Sequence, residues 1–130
     1  MSVTILIPIA PGELIDKITI LEIKQERINT QTKLINVKKE LDALTQACNE
    51  SITTSEKLKK LTIELKAVNE SLWDIEDEIR CCERLKDFGD KFIKLARAVY
   101  VTNDKRMEIK RAINDLLGSP IIEEKSYAAY

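Results

Sequence analysis

The chain has 130 residues, 44% hydrophobic and 33% charged, with only three Gly and three Pro. That balance is too apolar for a disordered chain and too poor in breakers for a many-stranded fold, and the length suits a single domain spanning 1–130. Lys and Arg total 21 against 22 Asp and Glu, a net charge of −1 by which neither half of the chain is a nucleic-acid-binding domain, and the absence of His removes the usual general base and commonest metal ligand.

In chain order, residues 3–7 are β-branched and apolar, a possible short strand or clasp that Pro8 and Pro11 end. The first ten residues carry no Lys or Arg, which reads against a secretory signal, and no run approaches the ~20 apolar residues of a membrane span. Pro11 and Gly12 suit a helix start, and 12–29 reads as a first helix. Leu14, Ile18, Leu21 and Ile28 lie at helical spacing, with Ile15, Ile20 and Ile23 widening the stripe. So broad an apolar surface calls for cover on more than one side. Asn29-Thr30-Gln31-Thr32 is a break, and 32–49 a second helix with Leu34, Val37, Leu41, Leu44 and Cys48 spaced 3, 4, 3, 4.

Residues 49–55 form the clearest loop, and Thr53 with Glu56 fits a capping box. The helix expected over 55–87 has the strongest pattern. Leu58, Leu61, Leu65, Val68, Leu72, Ile75, Ile79 and Cys82 alternate steps of three and four, the mark of a coiled-coil seam. Phe88-Gly89-Asp90 ends it, with Gly89 suited to a left-handed cap and Asp90 to a helix start. A last helix follows over 90–117, carrying Phe92, Leu95, Val99, Ile109, Ile113 and Leu116 in one phase. Gly118-Ser119-Pro120 stops it before a tail over 118–130. A helix over 56–87 would be about 48 Å long, whereas a compact globule of this size is roughly 36 Å across. The expectation is therefore an all-α, elongated antiparallel bundle with a long coiled-coil-like hairpin and a short extended N-terminal segment. A thin rod buries little of its own surface, so a homodimer is expected.

Folding the hairpin about Gly89 sets Thr102 and Arg106 opposite Leu72 to Glu76, near the acidic Asp74, Glu76, Asp77 and Glu78. Arg106 at a seam position is the oddest residue in the chain. Either it grips a carboxylate or phosphate ligand, or it pairs internally with Glu76 or Asp77 and fixes alignment. The candidate ligand-binding set is Arg106, Arg97 and Lys110 for positive charge, with Asn103 and Glu76 orienting the ligand and Arg80 also among the candidates. Trp73, Tyr100 and Tyr127 read as packing residues. No Ser or Cys has a base at recognisable spacing, so no catalytic residue is named. The three cysteines, Cys48, Cys81 and Cys82, lack metal or disulfide spacing and read as reduced thiols of a cytoplasmic protein.

Several stretches are familiar in combination: Gly12-Glu13-Leu14-Ile15-Asp16-Lys17-Ile18-Thr19-Ile20-Leu21-Glu22-Ile23-Lys24, Leu72-Trp73-Asp74-Ile75-Glu76-Asp77-Glu78-Ile79-Arg80, Phe88-Gly89-Asp90, Leu95-Ala96-Arg97-Ala98-Val99-Tyr100 with Thr102-Asn103-Asp104, Lys110-Arg111-Ala112-Ile113-Asn114, and Glu123-Glu124-Lys125-Ser126-Tyr127. Together they resemble a family of small uncharacterised bacterial proteins over essentially the whole chain, a resemblance that implies no activity, cofactor or catalytic residue. Ile15-Asp16-Lys17-Ile18 with Glu26-Arg27 is more weakly similar to the first helix of the all-helical chorismate mutases. That family needs an early Arg, and none precedes Arg27.

The reading is a non-enzymatic interaction or scaffold protein that offers a helix face and a charged patch to a protein partner. It has no cofactor, metal, nucleic acid or membrane. The alternative is binding or turnover of a small anionic ligand at the polar layer around Arg106.

Overall fold

The structure is a computed structural model that describes residues 2–130. It is all-helical, with α1 at Pro11–Arg27, α2 at Gln31–Ser51, α3 at Glu56–Leu85 and α4 at Asp90–Leu116. The described residues contain no strand. The possible strand at Val3–Ile7 does not form, because no second extended segment lies beside it to complete a ladder. Val3 and Leu6 stand 81% and 92% exposed. No helix among the described residues is long and apolar enough to cross a membrane.

α1 begins at Pro11, whose fixed φ suits the first turn and whose missing N–H would have had no partner there. Glu13 near its start and Lys24 and Arg27 near its end oppose the helix dipole. It buries Gly12, Leu14, Ile15, Asp16, Thr19, Leu21 and Ile23, too many for one stripe, and accordingly meets all three other helices. α3 and α4 lie along each other, whereas α2 lies alongside α1 alone. The core cluster joins Ile15 of α1, Leu58 and Leu65 of α3 and Ile113 of α4, with Cys48 and Ile52 packed against it. Leu65 and Ile113 stand 24 residues either side of Gly89, so their meeting fits a hairpin folded about that glycine.

Three details of the helix ends differ from the sequence reading. The cap of α3 is Ser55 rather than Thr53: its hydroxyl accepts from the Leu58 N–H at 3.2 Å, two residues nearer the helix than the capping box would start. The left-handed residue after α3 is Lys86 (φ 54°, ψ 34°), not Gly89. The Asp87 N–H reaching Cys82 O at 2.9 Å closes the helix there. Gly89, with φ −79°, precedes α4 as its cap, so Asp90 is the first helical residue. Cys48, Cys81 and Cys82 are free thiols.

Ser55→Ala should cost about 1 kcal/mol, since it removes the one side-chain cap of the longest helix. A urea midpoint shift at unchanged slope would report it. An unchanged midpoint would show that water caps α3 equally well.

Candidate functional site

On α1, Gly12, Asp16, Thr19 and Ile23 recur at steps of four, three and four, so they share a face, and all four are buried. On α4, Asn103, Arg106, Lys110 and Asn114 form a similar face beside the apolar one that meets α3. These two faces meet. Gly12 N–H donates to Asn114 Oδ1 at 2.7 Å, Lys110 Nζ donates to Glu13 Oε2 at 2.6 Å, and Arg106 reaches Asp16. The pairing descends α4 as it ascends α1.

Asp16, 1% exposed, is the centre of the layer. Its carboxylate takes a two-pronged grip from Arg106, Nε to Oδ1 at 2.9 Å and Nη2 to Oδ2 at 2.5 Å. From α3, Asn69 Nδ2 donates to Asp16 Oδ1 and to Thr19 Oγ1, each at 2.9 Å. The Thr19 hydroxyl in turn donates to the Asp16 backbone carbonyl at 2.8 Å. Burial alone would raise the Asp16 pKa. The hydrogen bonds from Arg106 and Asn69 and the charges of Arg106 and Lys110 outweigh it, and hold the carboxyl below the usual carboxylate range. Lys110, 4% exposed, lies between Glu13 and Glu123, the latter at 3.0 Å. Burial pulls its pKa down and these two partners push it higher, for a net upward shift.

Two open clefts flank this layer. One of about 1160 Å³ is walled by α4 and by the segment after it, with Glu13, Asn103, Arg106 and Lys110 in its lining. The other, of about 530 Å³, has Ile20, Leu72 and Trp73 as apolar wall and Asn69, Glu76, Arg80, Asn103 and Arg106 as polar lining. Arg27 sits over the Trp73 ring at 5.8 Å and bonds Asp74 at 2.6 Å.

The sequence-selected residues are thus divided. Arg106 and Asn103 reach both clefts and Lys110 one, with Asn103 Oδ1 accepting from Arg106 Nη1 at a long 3.5 Å. Glu76 and Arg80 line the second cleft, bonded to each other at 3.3 Å. Arg97 is exposed and lines neither. The internal partner of Arg106 is not Glu76 or Asp77 but Asp16, because α1 inserts its polar face against α4 and supplies a carboxylate that is more fully buried. Asn69, Thr19 and Asn114 escaped the sequence reading of the site. Thr19 continues the face of Gly12 and Asp16, and Asn114 that of Asn103, Arg106 and Lys110, at steps of three and four beside the apolar stripes, whereas Asn69 follows the seam residue Val68 with no such signal.

Among the described residues, no buried side-chain nitrogen or oxygen lacks a hydrogen-bond partner. None of their Cys, Asp or Glu side chains gather in threes as a metal site would need. The layer can therefore hold three helices in one alignment. Its charges are already committed to one another. A family model described as "Family of unknown function (DUF6165)" matches residues 5–130. No curated protein and no solved structure matches the chain.

Proposed function

Because the chain belongs to this family of unknown function, its role must be argued from its own surfaces, and we propose that it is a non-enzymatic helical interaction protein acting as a homodimer. In this reading the molecule is an elongated antiparallel bundle, and the α3–α4 hairpin a coiled-coil-like arm that presents a helix face and charged patches to a protein partner. The observation that carries it is a contrast of surfaces. The polar layer is saturated internally, while Val3, Ile5, Leu6 and Ile7 are 69–92% exposed in a stretch interrupted only by Thr4.

Burying one such side chain contributes roughly 1.5–3 kcal/mol. A stretch from each of two copies is therefore of the same order as the ~4–15 kcal/mol cost of association. Exposed Leu85, Phe88 and Ile93 at the hairpin turn add a second apolar patch, free for a different protein. Three free thiols fit a reducing compartment, the cytoplasm.

Light scattering tests the dimer. The wild type should weigh twice 14.9 kDa. Ile5→Asp with Ile7→Asp should weigh a single chain with unchanged helical circular dichroism. A wild type that stays single at micromolar concentration sinks the reading.

A second reading, binding of a small carboxylate or phosphate, is favoured by the clefts in which Arg106 and Asn103 both appear. The Asp16 grip on Arg106 weighs against it, because the charge a ligand would need is already balanced. A melting-temperature rise with a dicarboxylate or phosphate that Arg106→Lys abolishes would reverse this preference.

A further inference from the structure

The segment after α4 turns at Gly118 (φ +64°), where Ser119 N–H returns to Asn114 O at 2.9 Å, and then runs back along α4. Residues 121–130 have no regular secondary structure, and every one is exposed. Burial does not hold this strap; its polar contacts do. Glu123 meets Lys110 at 3.0 Å and Glu124 reaches Arg111 at 4.0 Å. Lys125 and the Tyr130 hydroxyl both meet Asp104, and the Tyr130 ring stands edge-on to Tyr100, centroids 5.3 Å apart. The contacts climb the strap as they descend α4.

Charge balance around Lys110 shows what the strap supplies. Asp16 is committed to Arg106, and Glu13 is shared between Lys110 at 2.6 Å and Lys17 at 3.8 Å. Three helix-borne cations thus face two helix-borne carboxylates, and Glu123 brings the third. Lys110 is almost wholly buried, so its remaining partner position is a fixed feature of the fold and not a passing surface contact. The rest of the strap is joined by exposed ion pairs, which are individually weak. What keeps it seated is the high effective concentration of a tethered segment.

We propose that the face of α4 from Tyr100 to Arg111 is a docking groove for an acidic peptide of a partner protein. Such a peptide has two adjacent carboxylates, a base next, and an aromatic ring five residues beyond the base, and the strap is the groove's occupant in cis. The proposal rests on the interaction-protein reading and names its partner's chemistry. Lys110 and Arg111 read the carboxylate pair, Asp104 the base and Tyr100 the ring.

The probe is a fluorescent synthetic peptide, Ser-Pro-Ile-Ile-Glu-Glu-Lys-Ser-Tyr-Ala-Ala-Tyr, copied from the strap, with its anisotropy followed on the full chain. Wild type should bind it poorly. The Glu123→Gln, Glu124→Gln chain, whose strap is weakened and whose groove is intact, should bind about tenfold tighter, the gain expected when a tethered competitor is loosened. Added salt should weaken binding, and a peptide with both Glu replaced by Gln should not bind.

Trypsin cleavage after Lys125 in the wild-type chain, with both peptides carrying D-lysine so that trypsin spares them, supplies a second readout that does not depend on the variant. The Glu-bearing peptide should speed it and the Gln-bearing one should not. Equal affinity of the two chains, equal binding of the two peptides, or unaltered cleavage would each overturn the groove. Repeating the titration on the Ile5→Asp, Ile7→Asp chain separates the two proposals. Peptide binding to a protein that never dimerises keeps the groove and removes the dimer, whereas a dimer that ignores the peptide does the opposite.

Discussion

Asp16→Ala is expected to destabilise the protein by roughly 3–5 kcal/mol, the range for breaking a buried charge pair from one side. The loss exceeds that of one contact because a charge is stranded with it. Arg106 keeps its charge without its carboxylate, and Asn69 Nδ2 is left with Thr19 Oγ1 alone. Arg106→Ala should cost a similar amount. The double variant should cost clearly less than the two together, since it leaves no orphaned charge. Urea unfolding of the four proteins measures this, and additive losses would show that the pair is not coupled.

The same pair predicts an acid response. The folded-state pKa of Asp16 lies below its ordinary value of 3.8, so its contribution is complete above that value. It is lost as pH falls through the lowered folded value. The stability gap between wild type and Asp16→Ala should therefore be full at neutral pH and shrink in strong acid.

Gly12→Ala should be the most costly methyl addition in the chain. A Cβ at Gly12 would stand 2.4 Å from the Lys110 carbonyl oxygen and 2.8 Å from Asn114 Oδ1. Backbone cannot swing aside as a side-chain tip can, so α1 must move away from α4. That lengthens the Gly12 to Asn114 hydrogen bond and loosens the Lys110 and Arg106 contacts on the turns beside it. Overpacking of this kind costs about 1–3 kcal/mol and sometimes more, and the upper end is expected here. Gly89→Ala is the control, because its Cβ would meet only the Asp87 carboxylate at 3.3 Å. A melting temperature that falls with Gly89→Ala as far as with Gly12→Ala would contradict the close approach of the two helices.

The hydrophobic period over Leu58 to Cys82 is local information, which is why a long third helix could be read directly from the residues. Folding the hairpin symmetrically about Gly89 also puts Leu65 beside Ile113. Arg106 stood out because a guanidinium interrupts an apolar stripe. Its partner did not stand out, since Asp16 is 90 residues away and its selection depends on which helix packs into the α3–α4 groove. Carboxylates along the hairpin were the nearer guess, but Glu76 is spent on Arg80 at the surface. Lys86 in a left-handed conformation was hidden for a different reason. Glycine is the residue that conformation favours, and here closure of the α3 end on Cys82 overrides that preference three residues earlier. The strap was invisible because it has no period at all. Its position follows from charges matched across α4, and any of several surface ions could have served.

A single carboxylate draws partners from two other helices, Asn69 of α3 and Arg106 of α4, so it acts as a vernier mark for three rods at once. Should α1 slip by one turn, about 5.4 Å, the Asp16 carboxylate would be stranded away from both donors. Sliding of α1 is thereby opposed at a single carboxylate by donors from two helices.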